Sequence, residues 1–339
     1  MKKKIILGHG SGGRLTQELV RDVFCKHLGE AGPSTLDDGA VLDCGAGFPA
    51  CSEQSGKPAP LVFTTDSYVV SPLEFPGGDI GTLCVAGTVN DLAVMGAKPL
   101  WLSLGVILEA GLPFQTLEKI VQSIARTANE AGVQIVCGDT KVVERGKGDG
   151  IYINTSGVGV LTTELSSATI QPGDQILVSG TIGDHGMTLL TMRKGFEVEA
   201  DLKSDCAPLN GLIEKVTSEI NVKWMRDPTR GGVATALNEL ADGSEWGILL
   251  QEENLPFSEP VRGLEELLGL DPLYSANEGK VLKVVSAANA EATLALLGDS
   301  AAVVGEVTEE HAGKVVLNTT MNTLRTIGVL TSDPLPRIC

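Results

Sequence analysis

The stretch 61–70, "LVFTTDSYVV", is β-branched and apolar and reads as a strand. Residues 79–96, "DIGTLCVAGTVNDLAVMG", follow as a helix rich in small residues, and 99–109, "PLWLSLGVILE", as a second strand. In 116–132 the helical spacing puts Leu117, Ile120, Val121, Ile124, Ala125 and Ala128 on one face, with Gly132 as the stop. Two more strands, 133–143 and 151–160, close the first half. A polar stretch ending in a Pro-Gly turn, 161–174, marks a boundary. Beyond it the pattern gives strands at 175–180, 246–252, 279–286, 301–307 and 313–318. Helices are expected after the glycine-rich loop 181–186, over 230–243 and over 288–298. The closing segment "TSDPLPRIC" has no periodicity and reads as a free tail. This pattern predicts an α/β or α+β protein of two domains, 1–164 and 165–331, with a flexible tail over 332–339.

Composition supports two real cores. The chain has 339 residues, 42% hydrophobic and 20% charged, which suits two domains of roughly 150–200 residues and does not suit disorder. A formal charge of −17 would be repelled by nucleic acid and by an anionic membrane. The most apolar region is interrupted by Lys98, Pro99 and Glu109, so no membrane span is expected. The start, "MKKKIILGHG", has lysines but too short an apolar run for a signal peptide, so a cytoplasmic location is expected. The seven cysteines include no C-x-x-C, against a disulfide framework or a zinc site. Cys44 and Cys51 share one loop, where they could pair under oxidation but read better as free thiols, while Cys25, Cys84 and Cys137 sit in apolar surroundings and read as small core residues.

Candidate chemistry gathers beside glycines. "GHGSGG" matches a dinucleotide fingerprint through Gly8, Gly10 and Gly13, between a strand over 2–7 and a helix over 15–28. The next element, "PSTLDDGAVL", is a carboxylate-bearing turn and not a second hydrophobic strand, which favours a phosphate-cradling or mobile loop with Arg14 as charge partner. Asp37, Asp38, Asp66, Asp91 and Asp139 stand at strand ends or beside glycines, and Asp91 lies in an otherwise apolar helix. A bare buried carboxylate is costly, and hard oxygen ligands without histidine or thiolate suit Mg²⁺. Lys141, two residues after Asp139, is a surface charge, a phosphate ligand or a base. His185 in "SGTIGDHG" is a proton shuttle or a loop histidine. "RDPTRGG", with Arg226, Asp227, Arg230 and Gly231 ahead of a helix, has the shape of a phosphate or metal–phosphate site. Glu278 in "ANEGK" sits on entry to a strand.

Taken in order, "HGSGGR", "FPGGDIGTLCVAGTVNDLAVMGAKP", "GDTKVVERG", "SGTIGDHG", "RDPTRGG", "ANEGK" and the terminal "PRIC" resemble the hydrogenase-maturation members of the aminoimidazole ribonucleotide synthetase (PurM-like) superfamily. The resemblance covers nearly the whole chain; the segment 43–60 carries no part of it and reads as a loop variant. It implies an N-terminal α/β domain that dimerises through its sheet, a C-terminal α+β domain, and ATP with Mg²⁺. It implies ATP-dependent dehydration of a carbamoyl group on Cys339 to a thiocyanate. The carbamoyltransferase HypF would load the thiol, and the HypC–HypD complex would take the cyanide for [NiFe] hydrogenase iron. By the same resemblance Asp38, Asp66, Asp91 and Asp227 are metal–phosphate ligands. Gly10, Gly12, Gly13, Arg14, Asp139, Arg230 and Gly231 would hold the nucleotide. Glu278 and Lys141 are candidate bases, with His185 in reserve and His9 as a contributor from its loop. Two other readings stay open: a PurM-like kinase or synthetase acting on a free small molecule, and a non-enzymatic thiol carrier. Pro334 and Pro336 stiffen the last eight residues, which could reach roughly 25 Å at about 3.1 Å each.

Overall fold

The chain folds into two bodies, each interleaving distant parts of the sequence. One, here the N-terminal body, comprises 35–165, 206–219 and Cys339; the other, the C-terminal body, comprises 1–34, 166–205 and 220–338. The computed structural model describes residue 9 and residues 13–25, 39–42, 60–165, 167–196, 201–331 and 337–339. The expected strand 2–7 and Gly10, Gly12, Asp37, Asp38, Cys44, Cys51, Pro334 and Pro336 lie outside these residues. Helix α1 (Arg14–Leu19), continued by wider π-helical turns over Val20–Cys25, belongs to the C-terminal body.

The N-terminal body is a five-stranded sheet, with β1 (Ala40–Leu42), β2 (Leu61–Tyr68), β5 (Ala97–Glu109), β6 (Gln134–Val143) and β7 (Ile151–Leu161) in the order β1-β2-β7-β5-β6. A short hairpin, β3 (Glu74–Phe75) and β4 (Gly78–Asp79), leads into helix α2 (Ile80–Val94). All pairings are antiparallel except β5–β6, which helix α3 (Phe114–Ala131) joins as a parallel crossover. Helix α2 is apolar on all sides, and 14 of its 15 residues are buried, as such a helix must be. Gly157 on β7 makes its close approach possible: a Cβ there would lie 2.8 Å from both Leu92 and Thr88. Helix α3 buries Ile120, Ser123, Ile124, Thr127, Ala128 and Ala131 and ends on Gly132 at φ +69. The buried stripe is turned from the expected one, since Val121 and Ala125 are exposed. Cys137 is exposed, correcting its reading as a core residue. It lies on edge strand β6, where nine of ten positions face outward.

The C-terminal body is built on a seven-stranded sheet. Its strands are β8 (Gln175–Val178), β9 (Val222–Arg226), β10 (Gly247–Gln251), β11 (Leu282–Val285), β12 (Ala302–Thr308), β13 (Val315–Asn318) and β14 (Leu324–Ile327). They run in the order β14-β13-β10-β12-β8-β11-β9, with only β10–β13 parallel. This body also holds helices α4 (Asp184–Lys194), α6 (Gly232–Ala241), α7 (Glu259–Leu268) and α8 (Ala290–Leu297), while α5 (Asn210–Glu219) joins the N-terminal body. Ile176, Val178, Leu250, Leu282 and Val284 pack with Val233, Ala234 and Leu237 of α6 in one core, each large side chain worth about 1.5–3 kcal/mol. A second cluster joins Met187 and Leu190 of α4 to Val261 and Leu264 of α7. No helix among the described residues is long and apolar enough to cross a membrane.

One core position breaks the apolar pattern. Strand alternation puts Lys283 on the face opposite Leu282 and Val284. Its Nζ is fully buried and contacts Met225 Sδ at 2.9 Å, opposite it on β9. A thioether is a weak acceptor, and burial lowers the amine to about 7. Lys223, by contrast, pairs with the buried Asp174 at 2.6 Å. Protonation of Lys283 therefore favours the unfolded chain, fully below about pH 7, and the penalty fades as pH rises toward 10.5. Lys283→Met is expected to stabilise the protein at pH 6 by on the order of a few kcal/mol, with the gain shrinking as pH rises from about 7 toward 10.5, as read by urea denaturation across pH.

Candidate functional site

Three loops of the C-terminal body carry the glycine motifs of the sequence, and one buried amide ties them together. Asn277 accepts from the Gly183 N–H at Oδ1 (2.7 Å) and donates from Nδ2 to the carbonyls of Pro228 and Ser275 (both 3.0 Å). Its own N–H donates to Pro228 O at 3.1 Å. The "TIGDHG" and "DPTRGG" loops are thereby held to the "ANEGK" loop. The Gly186 N–H adds a bond to Ala276 O (3.1 Å). Gly232, at φ +61, starts α6 where a Cβ would lie 2.5 Å from Leu273 O. Asp184 is held by the hydroxyls of Ser258 (2.8 Å) and Thr181.

These loops bury two further carboxylates: Asp227, just after β9, and Glu278, next to Asn277. The Glu278 N–H donates to Asp205 Oδ1 (3.0 Å), and Asp205 Oδ2 pairs with Lys280 (3.2 Å). Arg230 is exposed and Gly231 buried at the start of α6, which no side chain caps, so its first-turn amides suit an anion. Two expected charge partners are engaged elsewhere: Arg226 with Glu239 (2.8 Å), and Arg14 with Glu18 (3.6 Å), an exposed pair of little energetic weight. Gly13 is buried ahead of α1, and His9 is half-buried.

His185 is completely buried. Its Nε2 lies 2.8 Å from Ile338 O and its Nδ1 2.7 Å from Ser204 Oγ. A carbonyl only accepts, so Nε2 carries the proton and Nδ1 takes the Ser204 hydroxyl proton. Burial pushes the imidazole below its usual value and favours this neutral tautomer. Arg193 donates to Arg337 O. The described end of the chain is thus held in place, where the sequence reads as a free tail.

In the N-terminal body Thr64, Asp66 and Tyr68 alternate onto one face of β2. Thr64 donates to Asp91 of α2 at 2.9 Å, and the Tyr68 hydroxyl meets Thr88 at 3.2 Å. Burial first, then the charges of Asp66 and Asp91, raise the Tyr68 phenol well above its usual value. Two of the expected metal carboxylates are therefore brought together here. Asp139 and Lys141 pair on exposed β6 at 2.7 Å, which lowers the Asp139 carboxyl. They line a cavity of about 290 Å³ with Tyr68, Val69, Tyr152 and Asn154. Cys339 is buried, and its carbonyl accepts from the N–H of Val69 (3.0 Å). Among the described residues no three His, Cys, Asp or Glu side chains converge into a metal cage.

The two sheets with glycine-loop sites define a class. The model of the AIR synthase related protein N-terminal domain matches residues 36–161 and that of the C-terminal domain matches 171–318, so the chain is an AIR synthase-related, PurM-like protein. The carbamoyl dehydratase HypE of Rhodobacter capsulatus is 45% identical over 99% of this chain and 98% of its own length. A crystal structure of the hydrogenase maturation protein HypE in complex with ATP matches with TM-score 0.80 at 44% identity, over 99% of this chain and 100% of that one. A HypE–HypF complex matches at TM-score 0.82 and 44% identity, over 92% and 99%. Within the class, the chain belongs to the HypE carbamoyl dehydratase family.

Sequence reasoning missed Asn277 and Ser204. Asn277 lies in the "ANEGK" motif, and its signal is the need of three adjoining irregular loops for a polar partner. Asn277→Ala leaves the Gly183 N–H and two carbonyls without this partner. A loss of about 3 kcal/mol of stability in urea denaturation is expected, together with weakened ATP binding in a nucleotide titration.

Proposed function

We propose that this chain performs the ATP- and Mg²⁺-dependent dehydration of a carbamoyl group borne on the sulfur of Cys339, giving a thiocyanate. The observation that carries this reading is the seat of Cys339. Its carbonyl is held by Val69, three residues beyond Asp66, and Val69 lines the cavity that holds Asp139 and Lys141. Bound MgATP supplies a phosphoryl group that turns the amide oxygen into a phosphate leaving group. In balance, S–C(=O)–NH₂ loses its oxygen and both N–H protons to become S–C≡N, while ATP becomes ADP and phosphate.

The residues present fit that group. Oxygen donors without imidazole or thiolate are the set Mg²⁺ prefers, and it usually shares one or two carboxylates with phosphate oxygens, which suits sites without a protein cage. In the N-terminal body Asp38, Asp66 and Asp91 would be cation ligands, and in the C-terminal body Asp227 is the candidate. For the nucleotide, the candidates of the C-terminal body are Gly10, Gly12, Gly13, Arg14, Arg230 and Gly231, and that of the N-terminal body is Asp139. Glu278, buried and fixed by its main chain, and Lys141 would take the N–H protons. HypF would load the thiol, and a HypC–HypD complex would receive the cyanide for hydrogenase iron.

The same reading includes a homodimer formed through the N-terminal sheet. Val136 (58% exposed) and Val142 (66%) stand on edge strand β6, with Trp101 and Ile107 exposed on the neighbouring β5. A long apolar edge left open is an aggregation hazard, which a second copy would cover.

Intact-protein mass spectrometry tests the chemistry. S-carbamoylated protein should lose the mass of one water with MgATP, and neither EDTA-treated protein nor Cys339→Ala should show the loss. ATP turnover on a free small substrate by Cys339→Ala would overturn the reading. Val136→Asp combined with Val142→Asp should convert dimer to monomer in sedimentation velocity.

A further inference from the structure

We propose that His185, oriented by Ser204 and assisted by Arg193, is a positioning residue that seats the carrier end of the chain by gripping its main chain. The proposal rests on the dehydratase reading above. Helix α4 supplies both grips: His185 from its first turn and Arg193 from its last. They take successive carbonyls, Ile338 O and Arg337 O. Arg337 sits at φ +60, in the left-handed region that a side chain disfavours. The turn just before Ile338 and Cys339 is therefore held by contacts and not by the local preference of the chain.

Both imidazole nitrogens are committed. Nε2–H donates to Ile338 O, and Nδ1 accepts from Ser204, itself buried. A histidine so engaged has no lone pair left for an N–H proton of the substrate. Its position is that of an orienting group, and proton removal falls to other residues. Grips on carbonyls are indifferent to what the last side chain bears. They hold the same register for a bare thiol, an S-carbamoyl group and a thiocyanate, as a carrier that changes its cargo in place requires. The bond from the Val69 N–H to Cys339 O is made by main chain on both sides, so it persists as a constant background in any side-chain variant.

The test is the labelling rate of Cys339 by N-ethylmaleimide in the full-length protein without nucleotide, resolved from the other cysteines by peptide mass spectrometry. Buried Cys339 labels only through opening of its seat. Loss of one grip, in His185→Ala or in Arg193→Ala, should speed labelling about fivefold, and His185→Gln, which keeps an N–H donor, should restore part of the protection. In the carbamoylated protein kcat for water loss should fall while KM for ATP stays unchanged. Arg193 is only half-buried, so Arg193→Ala carries the test if His185→Ala does not fold. Wild-type labelling rates in folded variants would overturn the proposal. So would unchanged labelling with a pH–rate profile that loses one limb in His185→Gln, since that marks a proton-transfer role. Labelling needs no turnover, so a wild type that loses no water with MgATP refutes the dehydratase reading while this test still stands.

Discussion

The buried side chain of Asn277 is the constraint on which the C-terminal site depends. Irregular loops cannot satisfy their own main-chain groups, and three of them meet here. One amide takes the Gly183 N–H and gives its two protons to Pro228 and Ser275. Away from water such bonds are strong, and leaving any one unmade is costly. The consequences run outward. Gly183 is the residue from which α4 starts; Pro228 follows Asp227; Glu278 follows Asn277 itself. The positions of two buried carboxylates and of one helix are thus set by a residue that does no chemistry.

Charge is managed differently in the two bodies. On β2 and α2 the acidic groups are half-buried, and a hydroxyl from Thr64 makes Asp91 tolerable in an apolar helix. Tyr68 beside them stays a neutral phenol, a donor rather than a third anion. An arrangement of two carboxylates and neutral hydroxyls keeps room for a cation's charge without building a closed cage. In the C-terminal sheet, Lys223 has the carboxylate of Asp174, whereas Lys283 has a sulfur. A chain of this strongly negative charge carries a buried amine whose burial disfavours its charged form, and that amine costs stability rather than adding to it.

Much of this was legible in the sequence. Strands of the N-terminal sheet, the apolar α2 with Asp91, and the glycine motifs could be read because period and turn chemistry are local. The stripe on α3 was misplaced because Ser123 and Thr127 are buried by the close packing of α3 on α2, and hydropathy does not see packing. Cys137 was misread because an apolar strand looks the same at the centre of a sheet and at its edge. Helices α5 and α7 and strand β9 were not anticipated, and α5 packs with the N-terminal body although it lies far along the chain. The grip on Ile338 was invisible because it uses a carbonyl, which every residue has.

Helix α4 links these observations. Its first residue follows the Gly183 amide that Asn277 fixes, so the direction of the helix is set before His185 is reached. Met187 and Leu190 then pack it against α7, and Gly195, left-handed at φ +67, ends it one residue after Lys194. A short helix fixed at its start and packed along its length behaves as a rigid bar. Its two grips on the chain end therefore keep their spacing, about 12 Å of helix axis for eight residues, only while that start is fixed. Catalytic geometry that needs placement to a fraction of an ångström is better held by such a bar than by a loop. The same amide that arranges Asp227 and Glu278 thereby also registers Arg337 and Ile338. Loss of Asn277 should consequently disturb the chain end and the three glycine loops together, whereas loss of Arg193 should disturb the chain end alone.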